Sequence, residues 1–80
     1  MIIGVPKESY PGERRVALVP IVIPSLAKAG MEVLVETGAG ISAGYPDAQF
    51  SEKGGKIAAN REEVFSRADV IVQEIGRAHV

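Results

Sequence analysis

A cluster of charged residues follows the first apolar run of the sequence: Lys7, Glu8, Glu13, Arg14 and Arg15. In an open α/β sheet, ligands bind outside the carboxyl ends of the strands, which is where a loop after the first strand lies. An arginine in such a loop can hold a carboxylate or a phosphate through two parallel hydrogen bonds. Two acids beside three bases also fit a solvated loop whose charges pair weakly with one another. Spacing alone leaves both interpretations open.

A glycine-rich segment, residues 38–43 (GAGISA), matches the G-x-G-x-x-A pattern of dinucleotide sites. In such a site the glycines let the backbone approach a pyrophosphate held at a helix N-terminus. Here Gly44, Tyr45 and Pro46 separate the pattern from the next helix, so the helix amides begin too late to face the same phosphate. A turn that needs positive φ also explains the glycines. Between the two interpretations we favour the turn, and we predict no cofactor-binding residue in this chain.

Composition argues against several other kinds of site. The chain has no cysteine and one histidine, which disfavours a metal site. Nine basic and ten acidic residues give a net charge of −1 with no run of like charge, so a nucleic-acid partner is not expected. The N-terminus does not resemble a signal peptide, and no apolar stretch approaches the ~20 residues that cross a bilayer. We therefore expect a soluble, cytoplasmic segment.

Short apolar runs alternate with segments that carry helix signals. The predicted strands are residues 1–5, 33–35, 56–58 and 69–73, and the predicted helices end at Gly30, near residues 54–55 and at about Arg67. The first helix contains Pro20 and, one turn later, Pro24, which cannot donate to the Pro20 carbonyl. We expect either a distorted first turn or a helix that begins only at Pro24. Asn60 and Glu63 have the spacing of a capping box.

This alternation predicts an α/β fold: a Rossmann-like parallel sheet of about four strands with helices on both faces, forming part of a domain. Strand order 2-1-3-4 is the common arrangement for this pattern. Residues 74–80 (EIGRAHV) show neither a helical cap nor strand alternation, and they match a translated sequencing adapter. We therefore predict one domain segment over residues 1–73 and a non-native tail over residues 74–80, with the coding sequence interrupted at or near Gln73.

The sequence resembles the N-terminal domain of the alanine dehydrogenase and NAD(P) transhydrogenase alpha-subunit family. The segments that carry the resemblance are residues 3–8 (IGVPKE), 12–18 (GERRVAL) with Pro20, 29–30 (AG), 32–36 (EVLVE), 38–40 (GAG) and 68–71 (ADVI). They extend over residues 1–73. In this family NAD(H) binds mainly to a second domain further along the chain. The resemblance therefore implies an enzyme when the protein is full-length and an inactive fragment here.

Within the family, the sequence favours the transhydrogenase branch. Dehydrogenases carry a K-V-K-E-P stretch whose first lysine falls on Gln73. The transhydrogenase branch implies proton-coupled hydride transfer from NADH to NADP⁺, with NAD and NADP bound in the full complex. It also implies membrane and NADP-binding partner subunits, a homodimer of alpha subunits, and a position at the cytoplasmic face of the membrane.

Two alternatives remain. In an alanine dehydrogenase, which interconverts alanine and pyruvate with NAD, the resemblance places the substrate carboxylate on Arg15. A non-catalytic module that binds a small ligand is the other alternative. No residue of the chain is assigned a catalytic or metal-binding role under any of these interpretations.

Overall fold

A computed structural model of the chain describes residues 1–7 and 18–72, and within them the predicted alternation of strands and helices is confirmed. The elements in chain order are β1 (Ile2–Val5), α1 (Ile23–Lys28) preceded by a 3-10 turn (Pro20–Val22), β2 (Glu32–Glu36), a second 3-10 turn (Ile41–Ala43), α2 (Asp47–Glu52), β3 (Lys56–Ala58), α3 (Arg61–Arg67) and β4 (Val70–Ile71). Arg15 and the rest of residues 8–17 lie outside the described residues, as do Gln73 and the predicted tail. No helix in the described part is long and apolar enough to cross a membrane.

The four strands form one parallel sheet in the order β3-β2-β1-β4. The predicted order 2-1-3-4 is therefore wrong, because β3 pairs with the outer edge of β2 and not with β1. The reason is the position of Phe50 in α2, which packs with Ile23 of α1 on one face of the sheet. Since crossovers are right-handed, two successive helices on the same face move the chain in the same direction across the sheet. Only α3, on the other face, returns it to the free side of β1.

Each face of the sheet is covered by helix, as predicted. On the face of α1 and α2 the buried residues are Val5, Ile23, Val33, Val35, Ala39 and Phe50. On the face of α3 they are Leu34, Ala58, Val64 and Ile71. Alternate residues of β2 therefore point to opposite faces, which is why the strand reads as an unbroken apolar run.

The beginning of α1 has the distorted first turn that the two prolines predict. The Pro20 carbonyl accepts a hydrogen bond from the Ile23 N–H, three residues on, because Pro24 has no N–H to offer. The chain is thereby wound as a 3-10 turn before the α-helix begins at Ile23. At the other end of the helix, Gly30 has φ 85°, the left-handed conformation expected after a helix.

Candidate functional site

The carboxyl ends of β1, β2 and β3 lie side by side and form the edge at which ligands bind in this architecture. Lys7 follows β1, Thr37 follows β2, and Asn60 follows β3. The structure therefore brings together the beginning of the charged loop, the beginning of the glycine loop and the cap of α3. Of the five charged residues of the predicted loop, only Lys7 belongs to the described part of the chain.

Two side chains hold the backbone of Lys7 at this edge. The Lys7 N–H donates to Oε1 of Glu36 at 2.8 Å. Nη1 of Arg61 donates to the Lys7 carbonyl at 3.0 Å. Lys7 lies beyond the last residue of β1 and follows Pro6, which has no N–H. Side chains from β2 and α3 thus take the place of ladder hydrogen bonds where the chain leaves β1.

The glycine loop directs its amides inward. The Gly38 N–H donates to Oδ1 of Asp47 at 2.9 Å, and the Thr37 hydroxyl donates to Oδ2 of the same carboxylate at 2.6 Å. The Ala39 N–H donates to the Glu36 carbonyl at 3.0 Å, and further along the loop the Ile41 N–H donates to the Gly38 carbonyl at 3.2 Å. A carboxylate of the protein therefore binds the first amide of the G-x-G pattern, where a nucleotide site would present a free N–H to phosphate.

The predicted reason for the glycines is right for one position of the pattern and wrong for the other. Gly38 has φ 81°, so it serves a turn that disfavours a side chain. Gly40 has φ −100°, which any residue adopts. Its constraint is space, because a Cβ at this position would lie 2.6 Å from both the Tyr45 carbonyl oxygen and Cε2 of Phe50. The late helix start is confirmed, since α2 begins at Asp47.

The start of α3 is a second group of polar contacts at the same edge. Oδ1 of Asn60 accepts a hydrogen bond from the Glu63 N–H at 2.9 Å, as the capping box predicts. Oε1 of Glu63 accepts from the Ala59 N–H at 2.8 Å, one residue earlier than the usual capping box. Hydrogen bonds from the Ala59 amide and from Arg67 lower the pKa of Glu63 below its ordinary value of 4.5. The guanidinium of Arg61 lies 5.0 Å from the centre of the Phe65 ring.

Three residues of this edge were not predicted to make the contacts they make: Glu36, Asp47 and Arg61. Glu36 and Arg61 have a recognisable signal, because each is a charged residue at the carboxyl end of a strand or directly after the loop that follows one. Asp47 was predicted only as an acid in the first turn of α2. Its contact with Gly38 depends on how far the loop folds back, which the spacing does not determine. Within residues 1–7 and 18–72, no three His, Cys, Asp or Glu side chains are grouped closely enough to hold a metal ion.

Comparison with known protein families decides the relationship. The sequence model described as "Alanine dehydrogenase/PNT, N-terminal domain" matches residues 4–75 of the chain. The chain belongs to this family. It thereby joins a group of dehydrogenases and transhydrogenases, which are oxidoreductases.

Relatives from both branches of the family are similar to the chain. It is 44% identical over 71 residues to the first of the polypeptides that make up the NAD(P) transhydrogenase subunit alpha of Rhodospirillum rubrum, covering 89% of the chain and 18% of that polypeptide. It is 45% identical over 65 residues to the alanine dehydrogenase of Bacillus subtilis (strain 168), covering 81% of the chain and 17% of that protein.

A solved structure, that of an L-alanine dehydrogenase, superposes with a TM-score of 0.86 at 38% identity, covering 91% of this chain and 20% of that one. The chain therefore spans about a fifth of the length of the relatives it matches.

Proposed function

We propose that the full-length protein carrying this chain is the alpha subunit of a proton-translocating NAD(P) transhydrogenase, which transfers hydride from NADH to NADP⁺. The observation that carries this choice within the family is Gln73, which stands where dehydrogenases have the first lysine of their K-V-K-E-P stretch. The similarity to the Rhodospirillum rubrum subunit supports it.

The proposal includes the cofactors and partners of that enzyme. NAD and NADP bind in the full complex, and this segment binds neither. The segment is suited to that role because the amides of Gly38, Ala39 and Ile41 are engaged within its glycine loop. The partners are the membrane and NADP-binding subunits and a second alpha subunit, and the complex lies at the cytoplasmic face of the membrane.

Alanine dehydrogenase is the second candidate, favoured by the similarity to the Bacillus subtilis enzyme and by the superposition on L-alanine dehydrogenase. Under this proposal Arg15 binds the substrate carboxylate, because its planar guanidinium matches the two oxygens of a carboxylate. A non-catalytic ligand-binding module is the remaining proposal, and it requires a coding sequence without a further catalytic domain.

The test is to recover the uninterrupted coding sequence beyond Gln73, express the full-length protein, and assay both reactions. We expect hydride transfer between the nicotinamide nucleotides and no alanine oxidation. Replacing Arg15 by Lys should then change the rate only modestly, and Arg14→Lys is the matched control. Alanine oxidation that collapses in Arg15→Lys but not in Arg14→Lys, by roughly 2–5 kcal/mol in transition-state stabilisation, would establish the dehydrogenase instead.

A further inference from the structure

Helix α1 and the turn before it present apolar side chains to solvent. Ile21 is 74% exposed and Val22 is 38% exposed. Pro24 and Ala27 are also exposed. These four residues form what we call the outer face of α1. Between residues 20 and 29 the only residues with polar side chains are Ser25 and Lys28.

The other two helices have the usual polar exterior. The exposed residues of α2 include Gln49, Ser51 and Glu52, and those of α3 include Arg61, Glu62, Ser66 and Arg67. The inner side of α1 is already in use, because Ile23 is 1% exposed and packs on the sheet. A helix that is apolar on its inner and outer sides is typical of an element covered on both. The outer face of α1 therefore has the composition of an interface.

We propose that the outer face of α1 packs against an apolar surface formed by the same polypeptide outside residues 1–80. The turn and helix together are about 15 Å long and present a strip about 10 Å wide, or roughly 150 Å². A stable interface between separate molecules buries about 800 Å² on each partner, so this face is too small to hold two copies together by itself. A contact within one polypeptide does not lose the translational and rotational freedom that association costs, so a smaller area suffices.

The length of the family's proteins supports the same occupant. The chain spans about a fifth of its relatives, which leaves most of a full-length polypeptide to supply the covering surface. The inference goes beyond the proposed function, because it holds for either enzymatic reaction.

The test places the photo-crosslinking residue p-benzoylphenylalanine at position 21 of the full-length protein, with position 49 on the polar exterior of α2 as the matched control. After irradiation we expect position 21 to give a cross-link that keeps the mobility of a single chain. Mass spectrometry should identify its partner as a peptide outside residues 1–80. Position 49 should give little cross-linked product.

Three results overturn the proposal: a cross-linked species of two chains, a cross-link confined to residues 1–80, or no cross-link. If substitution at position 21 prevents folding, the same experiment at Ala27 decides between these outcomes. As an independent measurement, Ile21→Ser in the full-length protein should lower Tm by a few degrees, while Gln49→Ser should leave it unchanged. An unchanged Tm in Ile21→Ser also counts against the proposal.

Discussion

Gly4 lies in the middle of β1, where α3 packs against the sheet. A Cβ built on Gly4 would lie 2.6 Å from Cβ of Ala68, 2.8 Å from Cγ1 of Val64 and 2.9 Å from Cδ1 of Ile71. These separations are well below the roughly 3.5–4.0 Å at which carbon atoms attract. The absence of a side chain at Gly4 is therefore what lets α3 settle on the sheet.

Replacing Gly4 by Ala should lower the free energy of unfolding by about 1–3 kcal/mol, because the added methyl overpacks the contact with α3. Urea denaturation measures the change. The double variant with Ala68→Gly removes the nearest clashing atom, so its cost should be smaller than the sum of the two single costs. Strictly additive costs would show that the contact at Ala68 is not the source of the effect.

The carboxylate of Glu63 should make stability depend on pH in the acid range. Its pKa is lowered by the Ala59 amide and by Arg67, so folding favours the ionised form. The resulting stabilisation is fully present above the ordinary pKa of 4.5 and is lost as the pH falls through the lower pKa of the folded state.

Between about pH 6 and pH 3, Glu63→Gln should lose less stability than the parent chain, since a glutamine oxygen accepts from the Ala59 N–H at every pH. Denaturant midpoints across this range measure the difference, and Glu62→Gln controls for the change in net charge. Parallel profiles for Glu63→Gln and the parent would rule out the contribution of Glu63.

At the scale of elements, α3 depends on its N-terminal cap. The helix has seven residues, and the Asn60 side chain satisfies one of the amides that a helix N-terminus leaves without an intrahelical partner. Asn60→Ala should therefore cost about 1 kcal/mol in the free energy of unfolding, whereas Asn60→Asp should cost little because its carboxylate accepts the same hydrogen bond. Chemical denaturation compares the two. Equal losses would mean that the side-chain oxygen is not the stabilising feature.

The glycine loop as an element should not bind a dinucleotide. Its Gly38 amide donates to Asp47, and a carboxylate in this position repels phosphate. We expect calorimetric titration of residues 1–73 with NADH to show no micromolar binding, with the full-length protein as the positive control. A micromolar dissociation constant for residues 1–73 would restore the loop as a nucleotide site.

Local patterns predicted the elements of this fold, and non-local contacts decided how they are arranged. The spacing of Pro20 and Pro24 predicted the distorted turn before α1, and Asn60 with Glu63 predicted the cap of α3, because each involves neighbours in sequence. The strand order was mispredicted since it depends on which face of the sheet receives Phe50. Likewise, the constraint on Gly40 comes from the Phe50 ring and the Tyr45 carbonyl, which fold back onto the loop.

At the scale of the whole molecule, Asp69 connects the beginning of the described chain to its end. The Ile2 N–H donates to Oδ2 of Asp69 at 2.7 Å, and the Asp69 N–H donates to the Ile2 carbonyl at 2.7 Å. Asp69→Ala should lower the free energy of unfolding by roughly 0.5–1.5 kcal/mol through the lost side-chain hydrogen bond, while Asp69→Asn keeps an acceptor and should cost less. Thermal unfolding of both variants checks this, and a larger loss in Asp69→Asn would contradict it.

The strand order also has a consequence for synthesis on the ribosome. β1 is made first and lies inside the sheet, yet its partner β4 comes at residues 70–71. At about 5–20 residues per second, roughly 3–13 s separate the two strands. During that interval β1 can pair with β2, but its other edge exposes unpaired amides and carbonyls beside apolar side chains, which is the kind of edge that recruits foreign strands. A nascent chain of this protein is therefore most exposed to aggregation before residue 71 has left the ribosome.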